Sequence, residues 1–198
     1  GKLADLIVFN NFDDLKIHAV YKNGVLVAKN GKPVYEEPLR PKSVLRSSVN
    51  IKWLEGDEFV YPKGKGKCRV MKIVPGQIVT RQLLLKPKLQ EERIVSDTSR
   101  DILKICVVER HTASGRIGKG LVKGFGLKRG AVATSIAHDS HNIIVVGVDD
   151  DDIFQAVVRI NKIGGGITVV VDNQPVEELP LPIAGLMSEL SLHEVARK

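Results

Sequence analysis

The chain has 198 residues, enough for one large domain or two small ones, and its 43% hydrophobic content is ordinary for a globular protein. No apolar run approaches the roughly 20 residues that a membrane-spanning helix needs, and no secretory leader opens the sequence at Gly1, so no membrane partner and a cytoplasmic location are expected. The net charge of +7 is uneven, at +7 over residues 1–99, +5 over 100–148 and −5 over 149–198.

Taken in chain order, Leu6-Ile7-Val8-Phe9 and Ile17-His18-Ala19-Val20-Tyr21 read as strands. Lys22-Asn23-Gly24 turns the chain into Val25-Leu26-Val27-Ala28, and Asn30-Gly31-Lys32-Pro33 closes a β-meander. Residues 36–67, with Pro38, Pro41, Pro62 and a single Trp53, read as a connector with little regular structure. Its Lys63-Gly64-Lys65-Gly66-Lys67 run has only Phe59 and Tyr61 nearby. It is expected to be a solvated basic loop with no nucleic acid as partner, because a strand-tracking groove needs a stacking series.

From residue 68 the pattern changes. Arg69–Val74 and Gln77–Leu83 alternate as strands around Pro75-Gly76, and Ile102–Val108 is a buried strand. Glycines at 115, 118, 120, 124, 126 and 130 mark a turn-rich stretch. It is not a phosphate loop, since no Gly-Lys-Ser/Thr ending is present. Ala131–Ala137 leans to β and Ile143–Val148 is another strand. Asp149–Asp152 then opens a helix through Ile160, with carboxylates at the positive end of its dipole. Gly164-Gly165-Gly166 ends that helix, Ile167–Val171 is a strand, and Leu186–Lys198 reads as a terminal helix. Cys68 and Cys106 are isolated and are expected to be reduced. The expected fold class is α+β, divided as 1–67 and 68–198.

Two short constellations carry chemistry. Glu109-Arg110-His111 closes a buried strand, and His138-Asp139-Ser140-His141-Asn142 precedes another. Imidazoles bind metals or move protons near neutral pH, and a neighbouring carboxylate fixes a tautomer. Three readings stand for the second group: a hydrogen-bonded turn capping a strand, a face turned to substrate, or an independent metal site. For the first, an ion-paired strand end stands beside contact with a ligand.

These groups, together with Lys123-Gly124-Phe125-Gly126-Leu127-Lys128, Gly164-Gly165-Gly166 and Leu181-Pro182-Ile183-Ala184-Gly185-Leu186-Met187-Ser188, resemble the carboxy-terminal region of bacterial-type adenine deaminases of the amidohydrolase superfamily. Residues 1–32 resemble the strands that close the β-sandwich of that superfamily. The resemblance implies an intact enzyme that hydrolyses adenine to hypoxanthine and ammonia in purine salvage. It also implies a divalent metal, Mn or Fe, held on a TIM barrel that this sequence lacks. None of His18, His111, His138, His141 and His193 sits in the family's metal motif, so no metal ligand and no bound cofactor are expected in this chain. Glu109, Arg110, His111, His138, Asp139, Ser140, His141 and Asn142 are the residues expected to face the active site of the intact enzyme. The amino-terminal barrel is the expected partner, within a homo-oligomer, and the fragment alone is expected to be inactive. The competing expectations are a non-catalytic interaction module and a small metal-dependent hydrolase built on His138 and His141.

Overall fold

The computed structural model describes residues 1–34 and 48–198. The chain divides into two compact units, Gly1–Lys42 and Ser43–Lys198. The first is an antiparallel meander of β1 (Leu6–Phe9), β2 (Ile17–Lys22), β3 (Val25–Lys29) and β4 (Lys32–Pro33). Asn23 and Gly24 both take positive φ between β2 and β3, as a two-residue hairpin turn requires. Leu6, Ile7 and Val8 stay 47–58% exposed.

In the second unit a 3-10 turn (Asp57–Phe59) leads into β5 (Tyr61–Pro62), β6 (Cys68–Ile73), β7 (Thr80–Leu85), β8 (Lys88–Gln90) and β9 (Arg93–Val95). There follow β10 (Ile102–Val108), β11 (Ile117–Lys123), β12 (Ala131–Thr134), β13 (Ile143–Gly147), α1 (Asp150–Lys162), β14 (Gly166–Val171), β15 (Gln174–Pro180) and α2 (Leu192–Val195). Eight strands form one sheet in the order β15-β14-β12-β13-β10-β11-β6-β7. Every pairing in it is antiparallel except β11 with β6. A small sheet, β5-β9-β8, and α1 contribute to the main core. The sheets are open, and the described residues form no barrel.

α1 begins where its charges favour a beginning. Asp149 caps it by accepting from the amide of Asp152 at 2.8 Å, and three further carboxylates occupy the first turn. Ile153, Ala156, Val157 and Ile160, at helical spacing, are completely buried against the sheet. Arg159 holds Glu178 of β15 through two bonds of 2.7 and 2.6 Å. Lys104 is 1% exposed, pairs with Asp150 and lies 4.7 Å above the Tyr61 ring, so its ammonium is buried with both a carboxylate and a π-face.

Three expectations need correction. Pro38 and Pro41 lie outside the described residues, but the rest of the expected connector is not featureless. Leu54, Phe59 and Tyr61 belong to the main core, with Phe59 completely buried, so this stretch packs with the strands that follow residue 68. The glycine-rich stretch contains a seven-residue central strand, β11, because Gly118 and Gly120 lie directly against Val107 and Ile105 of β10. The terminal helix shrinks to Leu192–Val195, bounded by a Ser191–Glu194 capping box. Residues 183–187 instead form a tight turn with Ala184 and Gly185 at positive φ. Among the described residues no helix is long and apolar enough to cross a membrane. Both cysteines are free.

Candidate functional site

β10 ends and β13 begins side by side, with Val108 opposite Ile143. That register brings the Glu109–His111 and His138–Asn142 segments to the same end of the sheet. β12 and β15 end there and β14 starts there, so the turns at 163–165 and 181–187 arrive at the same place. Four of the sequence words carrying the resemblance therefore converge. The Lys123–Lys128 word lies at the opposite end, where the amide of Gly126 donates to Asp101 at 2.9 Å.

Arg110 organises the convergence. It is 2% exposed. Its Nε donates to the carbonyl of His141, one terminal nitrogen to that of Ser48 at 2.8 Å, and the other to that of Ala184 at 3.0 Å. No carboxylate balances it among the described residues, and burial lowers its pKa. Two of its acceptors, His141 and Ala184, have left-handed backbones with φ of 48° and 57°. Gly185 lies flat against the guanidinium, where a Cβ would come within 2.9 Å of a terminal nitrogen. Arg110 thus faces inward as a clamp on three carbonyls.

Glu109 closes its own loop. Its carboxylate accepts from the hydroxyl of Ser114 at 2.7 Å, the hydroxyl and amide of Thr112 at 2.9 Å each, and the amides of His111 at 2.5 Å and Ser114 at 3.1 Å. These bonds, the Ser114 hydroxyl first, hold the carboxyl well below the usual carboxylate range. Glu109 is therefore an anchor inside its loop.

The His138–Asn142 segment splits in two. His138 and Asp139 stand out at the tip with side chains 94% and 91% exposed, joined by a 2.8 Å contact from Nδ1 to Oδ1. Ser140 is also exposed, and its carbonyl meets Nε2 of His111 at 2.9 Å. The amide of His141 donates to the carbonyl of Ala137 at 2.6 Å, closing the turn. Inside it, His141 Nδ1 and Asn142 Oδ1 are buried polar atoms without a hydrogen-bond partner, as is Ser48 Oγ beside the clamp.

His138 Nδ1 sits on Asp139, His111 Nε2 on a carbonyl, and His141 Nδ1 is turned inward. Among the described residues no three His, Cys, Asp or Glu side chains come together as ligands. What the end of the sheet presents is a polar tip of hydrogen-bonding groups on an immobilised base.

Residue-by-residue reading misses the supports of this base. Ser135 is completely buried, donates to the carbonyl of Gly185 at 2.5 Å and accepts from the amide of Gly166 at 2.7 Å. Gly165 packs so closely on Gly185 that a Cβ would meet its Cα at 2.4 Å. The glycine words were visible in sequence, but the carbonyls of Ser48 and Ala184 carry no side-chain signal.

Residues 77–198 match the family described as "Adenine deaminase C-terminal domain". Over 98% of its length the chain is 42% identical to "Adenine deaminase 2" of Carboxydothermus hydrogenoformans and 44% identical to "Adenine deaminase" of Dehalococcoides mccartyi strain ATCC BAA-2100, covering 34% of each relative. It is 40% identical to "Adenine deaminase" of Bacillus pumilus, again over 34% of that protein. The chain belongs to the adenine deaminase C-terminal domain family, and it spans about a third of the length of the curated relatives it matches.

Proposed function

We propose that this chain is the carboxy-terminal part of an adenine deaminase, an enzyme of purine salvage that hydrolyses adenine to hypoxanthine and ammonia. Within it, the tip His138-Asp139-Ser140, backed by His111, closes over the mouth of the catalytic barrel. Its role is to hold the base and keep bulk water from the reacting carbon. The divalent metal of that reaction, Mn or Fe, belongs to the barrel, and this chain supplies no ligand to it. The cytoplasm is the compartment for such a salvage enzyme, and the isolated chain leaves adenine unchanged.

One observation carries the reading. A buried cation, Arg110, and two left-handed residues together immobilise a loop whose outermost side chains, His138 and Asp139, are more than nine-tenths exposed. Strain and a buried charge spent on holding exposed polar groups are features of a site that must be preorganised. The names of the relatives supply the reaction.

The test is kinetic, in the intact enzyme. His138→Ala and His141→Ala are expected to lower kcat/KM by up to about 100-fold, as for displaced positioning groups. His138→Ala is expected to leave the melting temperature unchanged, because its side chain is 94% exposed. Wild-type kinetics in both variants would discard the role of the tip.

A further inference from the structure

The central strands of the eight-stranded sheet are apolar on both faces, yet only one face is fully covered. On the face that meets α1 and the small sheet, Ile102, Cys106, Val108, Ala133, Val145 and Val170 are at most 3% exposed. On the other face the same strands present Ile105, Val107, Val132, Ile144, Ile167 and Val169, and every one is only partly buried. Burial alternates residue by residue along β12 and β14 while hydrophobicity does not. Strands of an antiparallel sheet with one wet face carry polar residues there. Near-continuous apolar runs belong to strands covered on both sides.

A small second cluster of Leu103, Val122 and Val146, with Leu127 packed on it, covers one end of this face. The rest is flat. Gly118 and Gly120 of β11 contribute no side chains to it, and Met71 of β6 is 42% exposed at its border. From β14 to β11 it carries no charged side chain.

We propose that this face is the docking surface for the amino-terminal region of the same enzyme, the part that the relatives carry beyond the matched third. This rests on the reading of the chain as part of an adenine deaminase. Two arguments select that occupant over a second copy. About two thirds of each relative's length lies outside the matched segment, so in those relatives a large body is available to cover this face. The size also fits. Five strands about 4.8 Å apart and roughly 15 Å long give a plane of about 360 Å². Separate molecules need about 800 Å² each for a stable interface. Domains of one chain pack through as little as about 300 Å² per side. The covering surface is therefore apolar and uncharged, and it completes a three-layer arrangement with the sheet in the middle.

Carbene footprinting of the 198-residue chain and of the intact enzyme tests this. Labelling of Ile105, Val107, Ile144 and Val169 is expected to fall several-fold in the intact enzyme, while exposed Val176 is labelled equally in both. Ile144→Lys is expected to leave the melting temperature of the 198-residue chain unchanged and to lower that of the intact enzyme. Equal labelling in the two proteins overturns the proposal. So does a dimer of the 198-residue chain that protects these side chains and that Ile144→Lys returns to monomer. An intact protein that protects the face but does not convert adenine retains the docking surface and removes the deaminase reading.

Discussion

Arg110 stands where its neighbours in sequence and its burial pull in opposite directions. A charged residue next to Glu109 and His111 at a strand end reads as surface, yet the side chain is 2% exposed and satisfied by three carbonyls from segments 31, 62 and 74 residues away. Removing the guanidinium leaves those carbonyls without their donor. Arg110→Met is expected to destabilise the chain by about 2–4 kcal/mol, read by urea denaturation. Arg110→Lys should recover only part of this, because one ammonium does not span three acceptors held by a planar fork. Glu109 makes a pH prediction. Its carboxyl titrates well below its unfolded value, so the stabilisation it gives is complete above about pH 4.3 and fades as pH falls through the lower folded value. Amide exchange of His111, Thr112 and Ser114 should accelerate on acidification, and Glu109→Gln should make exchange fast at neutral pH as well. Protection that persists in Glu109→Gln would show that the loop is held by other means.

At the level of the elements, packing distance decides where small residues must stand. Gly147 ends β13 beneath α1, and a Cβ there would lie 2.4 Å from a side-chain carbon of Ile153 and 2.9 Å from that of Ala131. Neither neighbour is free to withdraw, since both are buried core. Gly147→Ala is expected to cost about 1–3 kcal/mol by forcing helix and sheet apart, measurable as a fall in the denaturation midpoint at unchanged slope. The helix itself was legible: Asp149–Asp152 followed by apolar residues at helical spacing placed its start correctly. β11 and β15 were not. β11 owes its place to two strong neighbours, β10 and β6, and its glycines are admitted because Ile105 and Val107 occupy their space. β15 is polar over much of its length and pairs because the Asp172-Asn173 turn, with both residues at positive φ, folds it back on β14.

For the whole molecule, the sheet is built for three layers and this chain supplies two of them. The double-sided hydrophobicity of β10, β12, β13 and β14 is already present in the string of residues, but which side of each strand meets α1 depends on pairing across the sheet. The candidate site divides in the same way. The words Glu109–His111, His138–Asn142, Gly164–Gly166 and Leu181–Ser188 can be picked out one by one from their composition, because polar clusters beside apolar runs and glycines beside prolines are local properties. Their assembly at one end is a consequence of antiparallel register, which joins positions 31 to 74 residues apart. Likewise the membership of Leu54, Phe59 and Tyr61 in the core depends on a long return of the chain onto β9, β10 and α1, which no local periodicity records. Composition and pattern alone determined many of the strands and the helix with its acidic first turn, and the motifs carried the family resemblance. Tertiary structure decided that Arg110 is a buried clamp and His138 an exposed tip, because burial is set by what packs against a residue and not by its neighbours along the chain.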